Sequence, residues 1–584
     1  MLTPLTSPLR PMNPIAYDLE WYPHSYVVRL VGVWDEKGYR YYTSVDDFLN
    51  AEVTYENRGR TFFAHAGGKY DVQHILERIQ HDPNFETSAA FSGSSVILAR
   101  MRRGRDTWTF CDSFYLLPDG LKKIGKTIGI EKGECDFNAP LSELTAYNAR
   151  DCEIVYEGLL MLERGLNDLG GEMRVTLAAS CMNLFRHAYL QRTIRTSEAL
   201  NEILRPSYCA SRVEVFARYA PEAEYYDINS SFPASMTEPQ PGDLLRVTRS
   251  PPRQGTGTIW FADCDIEVQE SDLPPLPYKA GGRIFFPWGT WRGIFTSADL
   301  QLLEETGGRI RKIHRVWHFA PFEDLQAYVA DIYAKKLDAE KRGDVFARFL
   351  YKRVLVSLYG KFGERTEKDR VLINPEKTTC PHKPRHKGNS CIEIISPGIY
   401  RVKDVQDVQH AHVPISSYVT SLSRVKLYKG LAQTKQRYMC DTDSNVCGAG
   451  EKLPTGDALG EWKHEGTIRN ATFLCPKVYA YTGTCETCSG EGCKDCKKSG
   501  EKRVVKCKGF SRLSSDGFDA LSRFEPVQMD RTRGIKEGLR DTGSFGMARS
   551  KVTEKRLHED TLPKRASVGN ETRPWNVEEL KERI

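Results

Sequence analysis

Two short segments of the chain each carry a pair of carboxylates one residue apart. In Tyr438-Met439-Cys440-Asp441-Thr442-Asp443-Ser444, a strand of period two turns Asp441 and Asp443 to one face at the end of an apolar lead-in. Asp18 and Glu20 repeat the arrangement in Ile15-Ala16-Tyr17-Asp18-Leu19-Glu20, which is apolar like the end of a buried strand. Carboxylates this close repel unless a cation neutralises them. Asp71 closes a run, Phe62 to Asp71, in which a strand passes through a glycine turn into a helix from about Val72. In Tyr147-Asn148-Ala149-Arg150-Asp151, helical spacing puts Tyr147 and Asp151 on one face. Asp18, Glu20, Asp71 and Asp151 thus come from strand, turn and helix to hold two divalent ions, which clamp the attacking water and the leaving oxygen of a phosphodiester. Oxygen ligands suit Mg²⁺ or Mn²⁺. Taken singly, each segment also reads as an acidic turn or a helix surface, so the inference rests on their combination.

A second chemistry sits in Cys485-Glu486-Thr487-Cys488-Ser489-Gly490-Glu491-Gly492-Cys493-Lys494-Asp495-Cys496. Two Cys-x-x-Cys knuckles four residues apart wrap one tetrahedral Zn²⁺ through thiolates, and four thiolates leave no open position for catalysis. Strand-like runs at Lys477 to Thr482 and Lys502 to Lys508 flank the knuckles, so the metal caps a hairpin tip. Cys380, His382, His386 and Cys391 have a permissive spacing for a second Zn²⁺, against a basic, His-containing loop facing nucleic acid as the alternative.

The elements that position these groups need several cores, because 584 residues divide into about three to five packed units. With 40% hydrophobic and 27% charged residues and no apolar run of about eighteen residues, the composition is that of a globular chain with no membrane-crossing helix. The formal charge of +6 conceals basic stretches such as Lys494 to Lys508, a combination suited to gripping a polyanion while acidic pockets hold metals. Scattered single cysteines without a secretory signal indicate a reducing compartment. Met1 to Pro14 lacks acids, like a transit peptide, but Tyr17 to Glu20 follows at once and leaves little to cleave.

The three acidic segments, in their order and spacing, resemble the Exo I, Exo II and Exo III motifs of the DEDDy proofreading exonucleases. Segments resembling a family B DNA polymerase follow: Asp227-Ile228-Asn229-Ser230-Ser231-Phe232-Pro233 is similar to motif A, Lys352 through Gly360 to motif B, Tyr438 to Ser444 to motif C, and Lys477-Val478-Tyr479 to the Lys-x-Tyr motif. The resemblance implies an RNase H-like exonuclease domain over residues 1–195. It further implies a right-hand polymerase domain over 196–584, α/β and α+β in class. Within the second, it implies a palm over 200–240 and 413–510, fingers over 326–363 and a thumb over 511–584. Insertions like the two terminal-protein regions of protein-primed enzymes fall at 241–325 and 364–412, and the zinc-knuckle hairpin at 480–500.

Roles follow from the same resemblance. Asp227 and Asp443 ligate Mg²⁺, with Asp441 a less direct partner, and Tyr147 orients the water of the exonuclease site. Lys352 contacts the triphosphate, with Lys335 or Lys336 as a second contact. Tyr359 packs on the nascent base pair, and Phe232 stands where the family has its steric-gate tyrosine, leaving no room for a 2′-hydroxyl. Tyr208 and Arg212, in Tyr208-Cys209-Ala210-Ser211-Arg212, and Lys477 and Tyr479 contact DNA. Two departures are Val356 for the usual Asn of motif B and Ala66 for the usual Asn of Exo II, the latter expected to weaken proofreading.

The expected function is DNA-directed DNA polymerase with 3′→5′ exonuclease, acting as a monomer on primer-template DNA and dNTPs in the host cell of a virus or mobile element, cytoplasmic or organellar. A terminal protein is the expected priming partner of the compact protein-primed group. The competing readings are an exonuclease with a degenerate polymerase half, and a non-enzymatic zinc-bearing DNA-binding replication factor.

Overall fold

The computed structural model describes residues 1–584 except 23–24, 26, 93–94, 254–256, 377–391, 406–407, 486, 495, 509–512, 533–534, 544, 546–549 and 556–562. Strand Pro14–Trp21 shows how local alternation builds the amino-terminal region. Ile15, Tyr17 and Leu19 pack with Val72, Ile75 and Leu76 of helix Asp71–Ile79. Ala16 faces the opposite layer, with Cys152 and Ile154 of the long helix Leu141–Asp168. Asp18 and Glu20 continue that second face, so period two carries them beneath the long helix.

This strand pairs antiparallel with Val28–Asp35 and parallel with Thr61–Ala64. The sheet continues through Asp106–Asp112, Ser95–Arg103 and Glu86–Ser92. It does not end there. Strand Glu367–Ile373 of the second insertion pairs antiparallel with Glu86–Ser92, and Ile399–Val405 and Ile392–Ser396 follow, giving ten strands in one sheet. The insertion expected at 364–412 is thus anchored on the amino-terminal sheet: Val371, Ile373 and Ile399 are buried in its core, together with Leu539 and Phe545 from the carboxy-terminal region.

The second large sheet is the palm. Its seven antiparallel strands run in the order Glu501–Cys507, Val478–Thr484, Trp462–Cys475, Tyr219–Ile228, Ser444–Gly448, Arg437–Asp441 and Val213–Val215. Helix Val413–Gln433 covers one face, where its Leu427 and Leu431 pack against Tyr226, Ile228, Cys440 and Cys447. Cys440 is fully buried there as a small hydrophobe beneath the sheet.

The Pro- and Trp-rich stretch between palm segments folds as a four-stranded sheet of Gln240–Thr248, Arg309–Phe322, Ile259–Val268 and Gly289–Thr296. The fingers are two helices, Asp324–Arg342 and Val345–Ser357. Gly343, at φ +70°, stops the first, and the Asp344 side chain accepts from Ala347 N–H to start the second. The end of the chain packs on the rest. Thr572 N–H donates to Phe216 O at 2.9 Å and Val577 N–H to Trp288 O at 3.0 Å. Ala566, Trp575 and Leu580 share a core with Phe285.

Candidate active sites and zinc knuckle

In the amino-terminal site, carboxylate oxygens of Asp18, Glu20 and Asp151 all lie within 4.8 Å of one another. Asp71 is set apart from these three: its Oδ1 accepts from Leu19 N–H at 2.9 Å. Tyr147 and Asp151 do share a helix face, and Lys132 joins them, donating to Tyr147 Oη at 2.8 Å and pairing with the Asp151 carboxylate. Asn148 Nδ2 donates to Asp18 Oδ2 at 2.9 Å and to Asp18 O at 3.1 Å. This reach needs Gly32, opposite Asp18 in the sheet, because a Cβ there would stand 1.7 Å from Asn148 Oδ1. Sequence reasoning missed Lys132, Asn148 and Gly32, since none lies at a spacing that marks it.

Burial, joined at Asp18 and Glu20 by repulsion from neighbouring acids, raises these carboxyls above the ordinary carboxylate range. Burial, then Asp151, pushes Glu20 up to about 7. Burial pushes Asp71 up to about 7. Asp18 is raised by burial and by Glu20, and Asp151 by burial against the lowering effect of Lys132. A buried cluster of oxygen donors in which Lys132 pairs with Asp151 alone fits hard divalent ions.

In the palm, Asp443 in a hairpin turn is brought beside Asp227 on the neighbouring strand. Asp227 lies near the end of its strand with Ser444 paired opposite it, and Ile228 N–H donates to Asp443 O at 2.9 Å. Asp441 and Asp443 do not share one strand face as expected. Asp441 pairs with Ser444 across a two-residue hairpin loop, with Thr442 at φ +68° and Asp443 N–H donating to Asp441 O at 2.8 Å. The left-handed residue separates the two carboxylates. Asp441 accepts from Lys477 Nζ at 2.7 Å, whereas Asp227 is pushed up to about 7 by burial, Asp443 and Glu465, and Asp443 to about 6 by burial and Asp441. Glu465 is an acid that sequence reasoning did not single out.

The linker Tyr208 to Arg212 braces this turn. Arg212 O accepts from Thr442 N–H at 2.9 Å and Ser211 Oγ donates to Thr442 O at 2.6 Å. Arg212 itself, expected at DNA, is 2% exposed; its guanidinium donates to Glu214 at 2.6 Å and to Pro274 O at 3.0 Å. It is a buried structural ion pair, because a charge removed from water is held by its partners. Tyr208, half-buried, packs beside Gly363, and its carbonyl accepts from Lys279 at 2.6 Å.

Phe232 and Tyr359, far apart in sequence, stack with ring centroids 4.4 Å apart and planes at 24°. On the fingers, Lys335 is paired with Asp331, whereas Lys336 is lowered by burial and, against the opposing charge of Glu340, by those of Lys352 and Arg348. Lys336, rather than Lys335, therefore shares the basic face of Lys352. Val356 is on the same helix, 37% exposed. Ala66 is in a left-handed turn at φ +58°.

A cleft of about 800 Å³ extends from Asp227, Asp441 and Asp443 past Lys477, Tyr479 and Tyr481 to Cys485, Ser489 and Lys506. At its far end the four knuckle cysteines come together: Cys485–Cys493, Cys488–Cys496 and Cys493–Cys496 sulfurs are 3.8, 3.7 and 3.8 Å apart. A tetrahedron with about 2.3 Å from Zn²⁺ to each thiolate has edges of about 3.8 Å, so the set fits that ion. N–H donation from Cys493 pushes the Cys496 thiol down to about 6. Cys380, His382, His386 and Cys391 lie outside the described residues.

Comparison with known proteins agrees with this architecture. The family of type B DNA polymerases, organellar and viral, matches residues 139–398. The DNA-directed DNA polymerase of Enterobacteria phage PRD1 is 23% identical over 462 residues, 77% of each chain. A probable DNA polymerase of Podospora anserina is 23% identical over 87% of this chain, which spans only 48% of that protein. The structure of phi29 DNA polymerase with single-stranded DNA superposes with a TM-score of 0.67 at 20% identity, covering 90% of this chain and 97% of that one. Its complex with primer-template DNA and incoming nucleotides gives 0.68 at 17% identity. The fold, an amino-terminal α/β domain followed by palm, fingers and thumb, is that of the phi29 DNA polymerase structures. In sequence the chain is similar to the polymerases of phages PRD1 and phi29 and to probable DNA polymerases of fungi.

Proposed function

We propose that the protein is a DNA-directed DNA polymerase that extends a primer 3′-hydroxyl with dNTPs and proofreads through its amino-terminal exonuclease site. The observation that carries this reading is the pairing of Asp227 with Asp443, two raised carboxylates at the mouth of one cleft, while Lys477 neutralises the third acid, Asp441. Asp227 and Asp443 would hold Mg²⁺ or Mn²⁺ there, and Asp18, Glu20 and Asp151, with Asp71 behind them, would do so in the exonuclease site. Such ions, when bound, neutralise the carboxylates and stabilise charge on the attacking and leaving oxygens.

The chain's own residues do the rest by positioning. Lys352 and Lys336 present charge to a triphosphate, and the stacked Phe232 and Tyr359 form a flat wall for the sugar and the nascent base pair. Phe232 retains the ring that excludes a 2′-hydroxyl. Lys477 and Tyr479, on the edge of the cleft, hold the primer strand. In the exonuclease site Tyr147, fixed by Lys132, orients the attacking water. Both sites are complete within one chain, which supports action as a monomer. The knuckle binds a structural Zn²⁺ through Cys485, Cys488, Cys493 and Cys496. The second insertion, anchored on the exonuclease sheet, supports a role in separating template from its displaced strand, and the likeness to viral enzymes supports priming by a terminal protein on a viral or mobile-element genome.

Primer extension with dNTPs and Mg²⁺ on a primed template tests the reading. Asp443→Ala should abolish extension and spare degradation of single strands, and Asp18→Ala should do the reverse; unchanged extension by Asp443→Ala would sink the assignment. Incubation with labelled dATP and the proteins encoded beside it should yield a covalent protein–nucleotide product if priming uses a protein hydroxyl, and its absence would refute that route.

A further inference from the structure

The cysteine hairpin lies on the wall of the catalytic cleft rather than away from it, and what it carries there is charge. Strands Val478–Thr484 and Glu501–Cys507 pair as Tyr479 with Lys506, Tyr481 with Val504 and Gly483 with Lys502. Tyr479, Tyr481, Gly483, Val504 and Lys506 line the cleft together with Cys485 and Ser489. Lys502 has the parity of Val504 and Lys506, so period two puts it on that same face. Seven basic residues against two acidic ones occupy 494 to 508, and one of the acids, Glu501, is bound to Arg469. Lys494, Lys497, Lys498, Lys502 and Lys506 are exposed and form no ion pair with a described carboxylate. A surface of exposed lysines with no described carboxylate partner, joined through Lys506 to the cleft of Asp227 and Asp443, matches a polyanionic backbone.

The geometry points to the zinc knuckle as a backbone clamp on the newly made duplex, an inference that rests on the polymerase reading for which nucleic acid occupies the cleft. A two-stranded hairpin is marginal by itself in water. Cross-linking its tip through four thiolates makes it a rigid arm, so its lysines meet phosphates without first being ordered. The arm also sets a length. Lys477 to Cys485 is eight residues, about 26 Å at roughly 3.3 Å each, and duplex DNA rises about 3.4 Å per base pair. A duplex lying along the cleft therefore reaches the knuckle about seven or eight base pairs behind the primer terminus.

The test is binding of primer-template with duplexes of 5 and 12 base pairs by the full-length protein, with zinc content measured alongside. The combined variant Lys497→Ala, Lys498→Ala, Lys502→Ala should lose at least tenfold more affinity for the longer duplex than for the shorter. Its log affinity should also fall less steeply with log salt, by about 0.9 per lost phosphate contact. Cys488→Ser should lower zinc content and produce the same length-selective loss. Equal loss at both lengths, or no loss, overturns the proposal, as does an unmodified protein with free knuckle thiols and no bound zinc. Unchanged duplex affinity with lost association of a priming protein would assign the surface to that partner instead, and likewise overturns it. These readouts are independent of catalysis, so a protein that binds in this length-selective way but extends no primer would refute the polymerase reading and leave the clamp standing.

Discussion

Single side chains explain why both acidic sites resist neutral pH without a cation. Glu20 and Asp71 at about 7, Asp227 at about 7 and Asp443 at about 6 are all raised by burial. A carboxyl raised in the folded state binds more protons there than in the unfolded chain. The stability it contributes is present below its ordinary value near 4 and is lost as pH rises through 6 to 7. Thermal unfolding without divalent ions should therefore show falling Tm between pH 5 and 8, and Mn²⁺ should raise Tm more at pH 8 than at pH 5.5; an equal shift at both would contradict the linkage. Phe232 makes a second prediction at this scale. Replacing it with Val removes the ring that stacks on Tyr359, and incorporation of ribonucleotides relative to deoxynucleotides should rise at least tenfold because the discrimination is steric. The acids themselves were legible in the sequence, since their type and spacing are unusual. Lys132 and Glu465 were not, because a lone Lys or Glu in sequence carries no mark of the partner it meets in space.

At the scale of elements, local rules were informative where one segment determines its own shape. The break at Gly343, the hairpin strands around the knuckle, and the strand carrying Asp18 and Glu20 all follow from period, caps and turn residues. Motif C shows where such rules stop. Thr442 adopts a left-handed conformation because Arg212 O and Ser211 Oγ hold its backbone, and period two alone put Asp441 and Asp443 on one face when a turn separates them. Gly32 is the element-scale counterpart in the exonuclease sheet. Gly32→Ala would drive a Cβ into Asn148, displacing the helix that carries Tyr147 and Asp151 at a cost of about 1–3 kcal/mol. Exonuclease rate should drop tenfold or more while primer extension is retained; equal losses in the two activities would show that the damage is not local.

Across the whole molecule, the two acid-bearing regions are not separable beads. Strand Glu367–Ile373, inserted between polymerase segments, completes the exonuclease sheet, and Leu539 and Phe545 from near the end of the chain enter its core. Residues 1–195 alone would expose the edge of Glu86–Ser92 and lose those apolar partners. That fragment should be aggregation-prone, and the intact protein should unfold in a single cooperative transition rather than two; two well-resolved calorimetric transitions would contradict this coupling. By itself the sequence determined the chemistry: which acids, thiols and rings are present, in an order that matches an exonuclease followed by a polymerase, and which short stretches form strand or helix. These are local properties, set by residue type and by periods of two and 3.6. Tertiary structure alone decided that Arg212 is buried instead of touching DNA, that Lys477 singles out Asp441, that Phe232 meets Tyr359, and that an insertion belongs to the first sheet. Each depends on contacts between residues tens to hundreds of positions apart, and the partner's identity leaves no trace in either local segment.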